Sequence, residues 1–179
     1  MGLVELCNYF PFEYNKGIGT TAALYGVTLF VLYLYEIHKH YGWLPSISKT
    51  FYKVREIFQM FMYLEALSIF LIAQNLLYTI AAICFVIMAM FPSVLYKHFI
   101  VPHCIFATTA IAIMTIGLPI CFDTATGLIL IGGAVVGLSI LFYESYIKKN
   151  KFIQDTMIYW VEVITLSVSI IGLVLGRII

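Results

Sequence analysis

Residues 57–91 read IFQMFMYLEALSIFLIAQNLLYTIAAICFVIMAMF, and how this stretch divides decides the fold. It runs for 35 residues without a Lys, Arg, Pro or Gly. A helix needs about 20 mostly apolar residues to cross the roughly 30 Å hydrocarbon layer. The stretch is therefore too long for one comfortable span and short for two. Gln74-Asn75 falls near its middle. One reading makes these two residues a tight hairpin turn at the water interface. The other keeps one long tilted helix whose Gln74 and Asn75 bond to neighbours within the membrane.

Charge arbitrates between them. Basic residues near span ends concentrate on the cytoplasmic side. With a hairpin, the connection 38–56 (Lys39, Lys49, Lys53, Arg55), Lys97 and the connection 147–156 (Lys148, Lys149, Lys151) share one side. Lys16 and Arg177 are left opposite. With one long helix, Lys97 moves away from the first group and the bias is lost. The sequence thus predicts an all-α, polytopic integral membrane protein. It is a bundle of six transmembrane helices with short loops and both termini non-cytoplasmic. The chain forms a single transmembrane domain over 1–179, with spans at about 19–37, 57–73, 75–91, 99–121, 127–146 and 157–179. The plasma membrane is the expected location.

Composition agrees. Of 179 residues, 63% are hydrophobic and only 11% charged, with a mean hydropathy of +1.01. Soluble domains carry about 25% charged residues, so this chain lacks the charge to cover a water-facing surface. A net charge of +1 offers no footprint for phosphates, which excludes nucleic acid as a partner. The expected partners are the lipid bilayer and either further copies of the chain or a larger membrane complex.

Outside the spans, residues 1–17 read as an aromatic interfacial segment, with Tyr9, Phe10, Phe12 and Tyr14 beside Glu5 and Glu13. They lack the basic start and apolar stretch of a signal peptide. Residues 48–58 alternate Lys49, Lys53 and Arg55 with Phe51, Tyr52, Val54 and Phe58. Such spacing suits a helix lying on the anionic cytoplasmic surface, or else a solvated basic loop. Cys7 and Cys121 fall on the outer side in this topology, and a disulfide between them is one option in an oxidising compartment. Cys84 and Cys104 fall within spans and read as small core residues.

In lipid the packed face of a helix is its small or polar one. Glu162, Thr165, Ser169, Gly172 and Gly176 recur at helical spacing on one face of the last span. Gly133 and Gly137 form a close-packing motif in the fifth, with Glu144 on the same side. Asn75, Thr79, Ala82 and Ala89 line up in the third, and His103, Ala107, Ala110 and Gly117 in the fourth. The first offers Gly19, Ala22, Ala23 and Gly26, continued by Tyr33 and Glu36. For the glycines and alanines, helix packing is a sufficient reason.

The carboxylates ask for more, because a charge at mid-bilayer is costly and usually faces the bundle interior or a cavity. Glu65 lies deepest, about 12 Å inside the second span at 1.5 Å per residue. Glu162 lies about one turn inside the last, while Glu144 and Glu36 sit at cytoplasmic ends. No Lys or Arg lies within a span to neutralise them, apart from Arg177 near the far end. A desolvated, unpaired Glu65 is expected to carry its proton much of the time. An acid that can lose that proton, or exchange it for a cation, is the usual physical basis of ion-coupled transport. The first functional expectation is therefore a transporter or channel-like protein coupled to protons or cations, with Glu65, Glu162, Glu144 and Glu36 as candidates.

Two other expectations remain open. One is a non-catalytic subunit of a membrane complex, which fits the scarcity of extramembrane mass. The other is an intramembrane lipid-modifying metalloenzyme or haem protein using His38, His40, His98 and His103, which all fall on the cytoplasmic side with Glu36 and Glu144. No Walker, Rossmann or HExxH motif occurs, and Gly137-Leu138-Ser139-Ile140 lacks the second glycine of a nucleophile elbow. Enzymatic activity is disfavoured and no cofactor is expected outside that last reading.

Overall fold

The computed structural model describes residues 2–9, 14–47, 53–90, 100–122 and 124–178. Among these the fold is all-helical: α1 (Leu3–Asn8), α2 (Lys16–Tyr41), α3 (Arg55–Ala73), α4 (Leu76–Met90), α5 (Ile100–Cys121), α6 (Thr124–Phe142) and α7 (Lys151–Ile178). One π-helical turn, Tyr143–Ile147, extends α6.

The apolar run does divide at Gln74-Asn75. Gln74 adopts the left-handed conformation at φ 44°, ψ 49°, and its N–H closes α3 on the Phe70 carbonyl. A residue with a Cβ pays about 1–2 kcal/mol there. Its side chain supplies compensation: Nε2 donates to the carbonyls of Leu71 at 2.8 Å and Asn15 at 3.2 Å, and Oε1 accepts from Asn15 N–H. Asn75 then opens α4, its Oδ1 accepting from Tyr78 N–H at 2.9 Å. Gln59 Nε2 at the start of α3 donates to the Ala89 carbonyl at the end of α4, so the two helices run antiparallel as a hairpin.

The turn is not simply wetted by solvent. Asn75 is 1% exposed, and the N-terminal segment covers this end of the bundle. Leu76 N–H donates to the Tyr9 carbonyl at 3.0 Å. A disulfide between Cys7 and Cys121 ties α1 to the end of α5. The C-terminal part of α7 reaches the same end, where Gly176 packs on Phe122. Both α1 and the end of α7 therefore lie at one pole of the bundle. At the opposite pole, α2 ends on Gly42, whose φ of 67° and ψ of −155° favour a residue without a Cβ.

Five helices are long and apolar enough to cross a membrane: Lys16–Tyr41, Arg55–Ala73, Val101–Cys121, Thr124–Ile147 and Lys151–Gly176. They point to an integral membrane protein. The sixth, α4, is apolar but only about 22 Å long at 1.5 Å per residue. It packs between α3 and α5, and Leu77, Tyr78, Ala81, Ala82, Phe85 and Met88 are all buried. Its other face, with Ile80, Ile83 and Met90, is exposed and equally apolar. At the other extreme, only 11% of the most apolar window of α6 is buried, against 50% for α3.

Small residues set the closest helix contacts, as expected where lipid is as apolar as the packed side chains. In α2, Gly19, Ala22, Ala23, Gly26 and Tyr33 are buried as the periodicity predicts, but Glu36 is exposed. In α7, Ser169 and Gly172 are buried, and a Cβ at Gly172 would lie 2.5 Å from both Leu118 methyls of α5. Expectation fails for Gly133, which is exposed with nothing within 4 Å of a built Cβ. Gly137 makes only an ordinary contact with Ile164. The close approach of α6 occurs instead at Gly127, where a Cβ would meet the Pro119 backbone nitrogen at 2.6 Å. Two glycines four apart permit close packing, but nothing in their spacing says whether a partner helix faces them.

Of the proposed surface segment 48–58, residues 48–52 lie outside the described residues. Arg55–Phe58 is the first turn of α3 itself, with Phe58 2% exposed in the core. The alternation that suggested a surface helix is thus, over these residues, the entry of a span.

Candidate functional site

Glu65 is placed by α3 about 15 Å from the helix start and about 12 Å from its end. It is 6% exposed, and its Oε1 is buried without a hydrogen-bond partner. Glu65 lines a small cavity of about 10 Å³. The other walls are apolar: Phe30 of α2, Phe61, Met62 and Ile69 of α3, Phe85 of α4, Met114 of α5, and Leu166 and Ile170 of α7. Five helices thus converge on one acid. A cavity of that size is at the lower limit for a single water molecule.

The second carboxyl oxygen, Oε2, points toward α2 where it comes closest to α3. A Cβ built at Gly26 would sit 3.0 Å from Ser68 Cβ and 3.6 Å from Glu65 Oε2. Ser68 Oγ donates to the Leu64 carbonyl at 2.9 Å. Ser68 also lines an open groove of about 390 Å³ between α2 and α3, toward the α1 pole, with Gly17, Thr21, Tyr25 and Leu71. A second groove on the same seam, about 440 Å³, opens toward the other pole and shares Phe61 with the chamber. Tyr33 stacks on Phe61 at 3.8 Å between ring centroids, closing the chamber on that side.

The other acids are not brought to this chamber. Glu162, in α7, accepts a hydrogen bond from Ile47 N–H, and nearby Tyr159 N–H donates to the Pro45 carbonyl at 2.9 Å. These two bonds latch the connection 42–47 onto α7. Trp43 completes the latch, lying 5.1 Å from Trp160, 5.8 Å from Tyr159 and 5.9 Å from Phe152 between ring centroids. Glu36 pairs with His40 at 3.1 Å on an exposed face. Glu144 pairs with Lys148 at 2.6 Å. Both are local i,i+4 pairs, worth little where solvent reaches them.

The three described histidines do not assemble either. His38 leans on Trp43 at 4.3 Å, His40 faces Glu36, and His103 is buried in α5. His98 lies outside the described residues. Among the described residues no three His, Cys, Asp or Glu side chains are grouped so as to hold a metal ion. Sequence reasoning did not find the latch: Trp43, Pro45, Ile47 and Trp160 carry no periodic signal, because a loop folding back on a helix is a tertiary event. Comparison with known proteins yields no match to a family model, a curated protein or a solved structure.

Proposed function

We propose that the chain is a six-span protein of the plasma membrane, acting as a transporter or channel-like protein coupled to a proton or cation through Glu65. The observation that carries this reading is the carboxyl group of Glu65, buried at mid-helix with Oε1 unpartnered, where five helices meet. An uncompensated acid there is costly, and among the described residues no side chain hydrogen-bonds to its Oε1. Glu162, Glu36 and Glu144 each have a local structural role and rank behind it.

Two independent features support an orientation with the termini outside. The Cys7–Cys121 disulfide lies at the α1 pole, and disulfides persist in oxidising compartments. Lys39, Lys53, Arg55, Lys148, Lys149 and Lys151 belong to the opposite pole, as the positive-inside rule places cytoplasmic ends. The exposed α6 favours a second reading, in which the protein works as a homo-oligomer or as a subunit of a larger membrane complex through that helix.

The test is proton flux into proteoliposomes under an imposed potential, read by an enclosed pH dye and repeated with sodium as the permeant cation. Glu65→Gln should abolish the flux. A variant that folds and conducts like wild type removes Glu65 from the mechanism.

A further inference from the structure

The chamber around Glu65 has a chemistry more selective than its charge. Hard metal cations take about six or more oxygen ligands, or keep several waters when the protein supplies fewer. Among the described residues that line it, the carboxyl group is the only oxygen-bearing side chain. The other lining residues, from α2, α3, α4, α5 and α7, are Phe, Met, Leu and Ile, and none of them titrates. Ser68, whose hydroxyl like Oε2 lies beside Gly26 and donates to the Leu64 carbonyl, is not part of that wall. At about 10 Å³ the space admits one water-sized sphere, so waters cannot complete a coordination shell. A proton asks for a single oxygen lone pair and no volume.

We infer that Glu65 forms a proton-binding site closed to metal cations, and that its proton exchanges along the α2–α3 seam past Gly26. This rests on Glu65 being the coupling group and names which particle it takes. The exchange route follows from where the carboxyl group is thinly covered. Toward the α2–α3 groove it meets Gly26, which has no side chain, and Ser68. Toward the groove between α2 and α7, which contains Ser167, it is screened by Phe30 and Ile170, and these line both spaces.

A protonated carboxyl group in apolar surroundings gives its proton to a nitrogen of an apolar carbodiimide and adds through oxygen to the central carbon. The adduct rearranges to a stable N-acylurea, so mass spectrometry of the labelled protein in proteoliposomes reads the site without any transport assay. Wild type should be modified at Glu65, the adduct should be lost in Glu65→Gln, and excess sodium, potassium or calcium should leave labelling unchanged. Protection by any of these cations overturns the proton assignment while leaving Glu65 as the coupling group. Absence of label on the folded wild type also overturns it. Unchanged proton flux in Glu65→Gln, with labelling as expected, instead overturns the coupling reading alone. For the route, a bulky thiol reagent on Thr21→Cys should slow labelling, and the same reagent on Ser167→Cys should not. The reverse pattern refutes the α2–α3 path.

Discussion

The contact between Gly26 and Ser68 is where the packing beside Glu65 can be measured. A methyl group added at Gly26 would lie 3.0 Å from Ser68 Cβ. Carbon atoms prefer about 3.5–4.0 Å, so the overlap is about 0.5–1.0 Å. Ser68 Cβ is bonded directly to the backbone and cannot rotate away, so α2 and α3 must separate. Overpacking of this kind costs about 1–3 kcal/mol. Ala regains up to about 1 kcal/mol over Gly in helix propensity, which leaves Gly26→Ala destabilised by about 0–2 kcal/mol. Gly26→Leu, which must also enter the space beside Oε2, should be far worse.

The decisive measurement is a double-mutant cycle with Ser68→Gly, which removes the atom the new methyl meets. The double variant should be more stable than the sum of the single effects by about 1 kcal/mol or more. Stability can be followed in detergent by the fluorescence of Trp43 and Trp160, whose rings lie 5.1 Å apart. Additivity within about 0.3–0.5 kcal/mol would show that the helices do not touch at Gly26, and the placement of Gly26 against α3 beside Glu65 would fall with it.

Three further outcomes are expected. In intact cells, a membrane-impermeant reductant should free Cys7 and Cys121 for maleimide labelling; labelling only after permeabilisation would reverse the proposed orientation. Tyr78→Phe should cost about 0.5–1.5 kcal/mol, because the hydroxyl of this fully buried residue donates to the Met114 carbonyl at 3.1 Å and an intrahelical acceptor replaces nothing when it is lost. Glu162→Ala should loosen the 42–47 latch by about 1 kcal/mol or more, the worth of the hydrogen bond it accepts from Ile47 N–H, and should speed proteolysis there. Cleavage at the wild-type rate would show that Trp43 and Pro45 hold the segment alone.

The hairpin at Gln74-Asn75 was legible in the chain because hydropathy and charge are properties of residues in order. An apolar run of that length is too long for one comfortable span, and the two adjacent amide side chains, Gln74 and Asn75, fall in its middle. The buried faces of α2 and α7 were legible for the same reason: a periodic stripe of small residues reports one side of a helix. The Gly133-Gly137 stripe shows the limit, since it is present and yet makes no close helix approach: Gly133 is exposed and Gly137 makes only an ordinary contact. Depth along a helix could be counted, and it singled out Glu65.

Which side chains surround Glu65 could not be counted. Phe30, Phe85, Met114 and Ile170 come from four other helices, and their meeting depends on helix rotation and register. Asn15 capping Gln74, the reach of α1 to Cys121 and the latch of 42–47 on α7 are likewise long-range pairings. The sequence by itself determined that the chain is a membrane-type helical protein, where it turns, and which acid lies deepest. The tertiary structure decided that this acid stands in an apolar chamber while Glu36 and Glu144 are paired and Glu162 is latched, because an acid's partners are set by three-dimensional packing, and depth along one helix does not reveal them.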